Sequence, residues 1–526
     1  MVFTQDVTIM NRASFICGST LLALSTALLW SCSSQPPAET QAAAADTTQP
    51  ASHPEQALLE DLALANRMLA REAGILDAQG HVTTRSLVNP NHYYIARYLS
   101  PGGVTASDFI ENDLDSMPVH GPRNDQAREI YLHGEIFKAR PDVMAVVHAH
   151  TPEFVAFGMS SVPLWNGGSA APVWDIRQFN KGRSGIVNTP ELGHAMAATL
   201  SRNESVLLWG HGIAMTGSSI KDAVTRVIEL RDSAQLQQAA ISMGNAWKPQ
   251  AVMHDPVSRD RTWEYLKREV GKDTGGRVPP SPSPDPAKPS DPIEAAKRDL
   301  VLANRILASE ELGILDTLGH VSLRNPSDAN AYFIAPGVPA AAVKTADIVQ
   351  RTTTSPAADS QGLSIHEEVY KAKPEVRAVL YARTPEIVAF TNGSITLRPI
   401  VNGGAFLADA LPVLNMSTLD PQQPVLANPA LGPAVANALG KSSAVLLSGH
   451  GFVLTAASIY SLVDRAHALR LNARIQQQAL ALRGKVTYLN ERAVPSAPAN
   501  APGAGNPLGP PEGRAWIYWS QNVTVE

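Results

Sequence analysis

Four side chains in the first half of the chain have the types and spacing to do chemistry: Glu129, His148, His150 and His211. His148 and His150 flank Ala149 in the apolar run "AVVHAH". On a strand, period two puts both imidazoles on one face. His211 stands where a second apolar run, "SVLLWG", breaks at Gly212. Three imidazoles suit a zinc-like divalent ion that keeps one position open for substrate. Glu129 precedes His148 by 19 residues, on the preceding helix. A glutamate there that is not needed as a ligand can act as general acid or base. A lone His-x-His, or a His-Gly after a strand, is ordinary; the combination is what points to a site.

The elements that must position these groups alternate along the chain. Residues 56–72 read as an amphipathic helix, with Leu58, Leu62, Ala65 and Leu69 three and four apart. "YYIAR" is a short strand. Residues 125–139 read as a helix closed by Pro141. "AVVHAH" is a buried strand ending at Thr151-Pro152, and a short helix follows from 153. "SVLLWG" is another strand, and 217–240 a long helix. This alternation predicts an α/β sandwich.

The pattern is written twice. "LANRMLAREAGILDAQGHVTTR" at 64–85 matches "LANRILASEELGILDTLGHVSLR" at 302–324. "VLLWGHGIAMTGSSI" at 206–220 matches "VLLSGHGFVLTAASI" at 445–459. Both copies close on a related pattern, Arg261-x-Trp263-x-Tyr265 and Arg514-x-Trp516-x-Tyr518. Units of this length are tandem domains, not solenoid repeats. The expected domains are 55–270 and 293–526, joined by a Pro-rich linker at 271–292.

The chain has 526 residues, a net charge of −5 and no basic stripe, which argues against a nucleic-acid partner. The run from Met10 to Trp30 predicts an export signal within residues 1–32, followed by a disordered Ala/Pro/Thr/Gln tether at 33–54. "LWSC" at 29–32 resembles a bacterial lipobox, with Trp30 where a small residue is usual. Acylation of Cys32 would leave no cysteine for a disulfide, since the other of the two is Cys17, inside the signal. The expectation is a periplasmic lipoprotein that meets the membrane only through this lipid anchor.

Glu129-x3-His133, then "ARPDVMAVVHAH", then "LLWGHG", resembles the class II aldolase/adducin family. The resemblance covers roughly 56–250 and again 292–490. It implies a three-layer α/β/α fold around a mainly antiparallel sheet, twice over. It also implies a divalent ion, zinc first and manganese as another candidate, held by His148, His150 and His211, with Glu129 as acid/base. Sugar-phosphate members carry phosphate-binding serines where this chain has Ala127 and Arg128, and their "TPTG"-like turn is "SPGG" at 100–103. Arg128 could pair with a carboxylate through both arms of its guanidinium. His81, beside Gly80 in the turn, is a second candidate for touching substrate. The expected function is therefore a lyase for a small non-phosphorylated hydroxy or keto acid, by aldol cleavage or decarboxylation. The alternative is an adducin-like binding protein with a vestigial metal site. The family also implies a ring of four domains, here a homodimer.

The second copy departs from the first at the site. His148 becomes Tyr381, His150 becomes Arg383 and Glu129 becomes Gly362; only His211 keeps its partner, His450. The second domain is therefore expected to be degenerate. His133 recurs as His366 and Glu135 as Glu368, so these are read as structural. His194 is read as surface, and Asp175 and Arg177 as outside candidates for the site.

Overall fold

The computed structural model describes residues 55–120, 126–180, 185–247, 256–273, 288–354, 362–391, 393–407, 411–419, 425–489 and 512–523. The expected export signal, the tether and residues 274–287 of the linker lie outside them.

The first repeat runs α1 (Gln56–Arg67), β1 (His81–Arg85), β2 (His92–Ala96), β3 (Phe109–Asp113), α2 (Ile130–Ala139), β4 (Ala145–Ala149) and α3 (Pro152–Gly158). A two-stranded ribbon follows, β5 (Trp165–Asn166) with β6 (Ser169–Ala170). Then come β7 (Val173–Trp174), α4 (Pro190–Leu200), β8 (Ser205–Leu208), β9 (Gly212–Gly217), α5 (Ile220–Ser242) and α6 (Pro256–Asp273). The second repeat runs α7 (Pro292–Ala308), β10 (His320–Arg324), β11 (Ala331–Ile334), β12 (Val349–Thr352), α8 (Leu363–Ala372), β13 (Ala378–Ala382) and α9 (Pro385–Val388). It ends with β14 (Val413–Leu414), α10 (Leu431–Leu439), β15 (Ala444–Leu447), β16 (Gly451–Ala456), α11 (Ile459–Ala481) and α12 (Gly513–Gln521).

Each repeat builds one seven-stranded sheet, ordered β3-β2-β1-β4-β9-β8-β7 and β12-β11-β10-β13-β16-β15-β14. All neighbours are antiparallel except β7 with β8 and β14 with β15. The two orders correspond strand for strand. Alternation along β4 makes three layers: Ala145, Val147 and Ala149 pack with Leu62 of α1 and Val227 of α5, while Val146 packs on the other face with Ile136 of α2 and Met196 of α4. The same division recurs in the second repeat. His148 has the parity of Val146, so it faces α2.

The two repeats share an apolar contact. Val155, Ala156, Met159 and Trp209 of the first pack on Ile400, Val401, Ile475, Ala479 and Leu489 of the second. Trp209 Nε1 donates to Thr487 Oγ1 at 3.0 Å across this contact.

Two expectations change. The helix read over 125–139 begins only at Ile130, and Glu129 is its N-cap residue, outside the helix proper. Gln126 instead pairs with Arg97 as an isolated bridge, which keeps that stretch extended. The strand "AVVHAH" ends at Ala149, so His150 lies one residue past it.

Candidate metal centre

His148 is fully buried on the central strand, and His150 follows at the point where the chain leaves the sheet. His211 sits in the tight turn between β8 and β9. Gly212 is needed after it, because a Cβ there would lie 2.1 Å from the Ala149 carbonyl oxygen. That close approach brings His211 against the end of β4. The three Nε2 atoms then stand 3.0 Å (His148 to His150), 3.1 Å (His150 to His211) and 3.2 Å (His148 to His211) apart. The Glu129 carboxylate closes the group, 3.2 Å from His148 Nε2 and 3.3 Å from His211 Nε2. Among the described residues these four are the one group of His, Cys, Asp and Glu that could hold a metal ion.

The donor set fits a divalent cation. Three imidazole nitrogens at these spacings can converge on one ion at the ordinary Zn–N distance of about 2 Å, with the Glu129 carboxylate beside them. Three Nε2 atoms crowded together without an ion or a shared proton between them would set lone pairs against each other. Each outer nitrogen is also held. His148 Nδ1 lies 2.9 Å from the Ile213 carbonyl oxygen, and His150 Nδ1 lies 3.0 Å from Asp77 Oδ1. Asp77 is itself fixed by the Gln79 and Gly80 N–H groups, each at 2.8 Å. His211 Nδ1 lies 2.8 Å from the side-chain amide of Asn402, a residue of the second repeat. Such outer partners fix the ring and its tautomer.

Electrostatics follow from burial and from these neighbours. Burial pushes the Glu129 carboxyl up, but His211 and His148 outweigh it and hold the group well below the usual carboxylate range. Its Oε1 also accepts from the Val187 N–H at 3.1 Å. Burial holds His148 below the ordinary imidazole value. Burial acts the same way on His150, but Asp77 overrides it and the net shift is upward. His81, buried beside His148 and Arg514, falls to about 3 and is therefore neutral. Its Nε2 is buried and has no hydrogen-bond partner among the described residues.

A cavity of about 440 Å³ opens on Glu129, His150 and His211, and both His81 and Arg128 line it. Its far walls belong to the second repeat: Val401 and Asn402, Asp464 to Leu471 on α11, and Arg514, Ala515 and Trp519 on α12. Sequence reasoning did not place Asp77, Asn402 or Arg514 at the site. Asp77 had a signal, since "GILD" recurs with Asp316. Asn402 had none.

The remaining candidates fall outside the cluster. Asp175 and Arg177 pair with each other at 2.8 Å, and Arg177 stacks 3.5 Å over the Trp209 ring; neither lines the cavity. The His194 side chain is 80% exposed. His133 is buried between α2 and β1, its Nδ1 2.7 Å from Thr83 Oγ1, and His366 repeats this with Ser322 Oγ at 2.6 Å.

At the corresponding place in the second repeat, Tyr381 pairs in register with His320, as His148 does with His81. Its hydroxyl lies 3.4 Å from the His450 carbonyl oxygen. Arg383 turns to Asp316 at 3.7 Å, the counterpart of the Asp77 that holds His150. Gly362 adopts φ of 76°, a left-handed conformation unfavourable to glutamate, whereas Glu129 has φ of −101°.

Residues 60–238 and 298–477 each match the model of the Class II Aldolase and Adducin N-terminal domain. The chain belongs to the class II aldolase/adducin family, as a tandem duplicate. It is 30% identical over 203 residues to the 3,4-dihydroxyphthalate decarboxylase of Arthrobacter keyseri, covering 36% of this chain and 81% of the relative. It is 28% identical over 192 residues to the decarboxylase tropJ of Talaromyces stipitatus, covering 33% of this chain and 72% of that one. A 5-methylthioribulose-1-phosphate/5-deoxyribulose-1-phosphate aldolase of Rhodospirillum rubrum is 26% identical over 177 residues, covering 32% of this chain and 80% of the relative. Among solved structures, an aldolase II superfamily protein from Pseudomonas syringae matches 42% of this chain and 94% of its own, at 23% identity and a TM-score of 0.36.

Proposed function

We propose that the chain is an exported, divalent-metal-dependent lyase. It would cleave a C–C bond beside a carbonyl of a non-phosphorylated hydroxy or keto acid, by aldol cleavage or decarboxylation, in the first repeat only. One observation carries the reading. A buried glutamate stands against three converging imidazoles at a cavity large enough for a small acid. A purely structural metal site has no use for an open cavity or for a carboxylate beside it.

A divalent ion held by His148, His150 and His211, zinc first and manganese as another candidate, supplies Lewis acidity beside the reacting carbonyl when bound. The chain's own residues do the rest. Glu129, oriented by the Val187 N–H, takes or delivers the proton at the carbon whose bond breaks. Arg128, beside it on the cavity wall, offers a planar guanidinium to a substrate carboxylate. Neutral His81 contributes an uncharged polar wall. Ala127 and Arg128 take the place of phosphate-binding serines, which favours an acid over a sugar phosphate. The names of the decarboxylase relatives support the same choice.

The signal-like run before Cys32 supports a periplasmic, lipid-anchored location. A homodimer of four alternating repeats is supported by the faces left open. Leu236, Met243 and Tyr265 are 64%, 73% and 60% exposed, whereas their counterparts Ile475, Leu482 and Tyr518 are 0%, 1% and 7% exposed.

The test is metal analysis of the purified protein, followed by a screen of hydroxy and keto acids for CO2 or aldehyde release, with and without chelator. Chelator-sensitive turnover is expected. Folded protein that takes up no divalent ion and turns over none of the acids refutes the reading and favours the adducin-like alternative.

A further inference from the structure

The cavity beside the candidate metal centre is lined by a guanidinium that, among the described residues, has no carboxylate as an ion-pair partner. Arg514 sits on α12, at the far end of the sequence, yet it lines the cavity of the first repeat and is only 9% exposed. Its Nε donates to Gln79 Oε1 at 2.8 Å, its Nη2 to the Gln79 carbonyl oxygen at 2.7 Å and its Nη1 to the Leu99 carbonyl oxygen at 3.4 Å. Its guanidinium lies 4.6 Å over the Tyr98 ring. These partners are neutral; among the described residues no carboxylate forms an ion pair with Arg514. The acids close enough to act on it are Asp77 and Glu129. Asp77 is engaged by His150, and Glu129 by His148 and His211. A buried guanidinium with only neutral acceptors leaves its desolvation uncompensated.

The helix that carries Arg514 is fixed against the first repeat. A Cβ on Gly102, in the "SPGG" turn, would lie 2.4 Å from the Tyr518 ring, so the turn and α12 pack at closest approach. Arg128 and Arg465 line the same cavity, and Asp464 is the one further carboxylate there. The three guanidiniums of the lining face three carboxylates, Asp77, Glu129 and Asp464, so a bound divalent ion leaves the lining net positive. Tyr98, Val401, Leu471, Ala515 and Trp519 add an apolar wall around it.

We infer that Arg514, together with Arg128 of the same cavity lining, receives a substrate carboxylate, so that the second repeat supplies specificity to the site of the first. The substrate class is an organic acid with a flat apolar body. It carries one carboxylate for these guanidiniums and an oxygen function for the metal centre. The inference rests on the lyase reading only for what happens to the acid once bound.

The test measures binding, not turnover. Phthalate and its neutral dimethyl ester are titrated calorimetrically into zinc-loaded protein. Wild type is expected to prefer the acid by at least about tenfold, the scale of one charge-assisted hydrogen-bonded pair. In Arg514→Gln, phthalate binding should fall about 10- to 100-fold while ester binding and metal content stay unchanged. Arg514→Lys keeps the charge but loses the fork, so it should fall between the two. It also carries the test if the glutamine variant does not fold. Arg261→Gln, the exposed counterpart on α6, should leave the acid-to-ester ratio as in wild type. An Arg514 variant that folds and keeps the wild-type ratio overturns the assignment, as does wild type that binds acid and ester equally or binds neither. Arg514-dependent phthalate binding by a protein that cleaves no acid supports this inference and refutes the lyase reading.

Discussion

Asn402 reaches across the repeat contact to a metal-ligand candidate 191 positions away, and replacing it with alanine isolates that contribution. With a cation on His211 Nε2, the proton must sit on Nδ1, so Nδ1 becomes a donor. The Asn402 amide nitrogen is 2.8 Å away and also donates to the Gly185 carbonyl oxygen at 3.0 Å, while its Oδ1 is buried with no partner among the described residues. A half-turn of the amide presents Oδ1 to the Nδ1–H and gives up the hydrogen bond to the Gly185 carbonyl oxygen. Asn402→Ala removes this acceptor and frees the ring to rotate off the ion. Loss of an outer partner of this kind weakens metal binding about 10- to 100-fold. That is about 1.4 to 2.8 kcal/mol. The assay is competition for zinc against a chelator of known affinity, with circular dichroism as the control for folding. Affinity within about threefold of wild type in a folded variant would refute the claim that the second repeat helps hold the first repeat's metal ligands.

Two further outcomes follow from the same geometry. Glu129→Gln is expected to retain metal, because three imidazoles remain, and to lose turnover by about 100-fold or more, measured by acid-cleavage rates alongside metal content. Ile475→Ala, at a fully buried position of the repeat contact, should cost about 2–5 kcal/mol in urea unfolding, whereas Leu236→Glu, at the exposed counterpart, should leave unfolding little changed and dissociate the proposed dimer in light scattering. A wild-type protein that is monomeric at micromolar concentration refutes the ring of four repeats.

The parts of the site that sequence made legible are those governed by short periods. The parity of His148 follows from strand alternation, and the tandem fold follows from the repeated "GILD" and "GHG" segments. Glu129 was identified as a residue but misplaced on the helix, because apolar periodicity does not mark an N-cap. The far wall of the cavity was not legible. Asn402 meets His211, and Arg514 meets Gln79, across separations of 191 and 435 residues. No local period records such contacts. The recurrence of Arg514-x-Trp516-x-Tyr518 marked the helix but not its destination. In the first copy the same pattern leaves Tyr265 60% exposed.

The most direct test of the account is metal stoichiometry per chain across three proteins. The second repeat offers His450 as the one remaining imidazole of the set, with Tyr381 and Arg383 in place of the other two. One imidazole does not hold a divalent ion against water, and a guanidinium that stays charged opposes a cation nearby. Elemental analysis of wild type is expected to give about one ion per chain, because a single repeat carries the three-imidazole set. His148→Ala should lose that ion, and His450→Ala should retain it. About two ions per chain in wild type, with one lost in His450→Ala, would contradict the assignment of the metal centre to the first repeat alone.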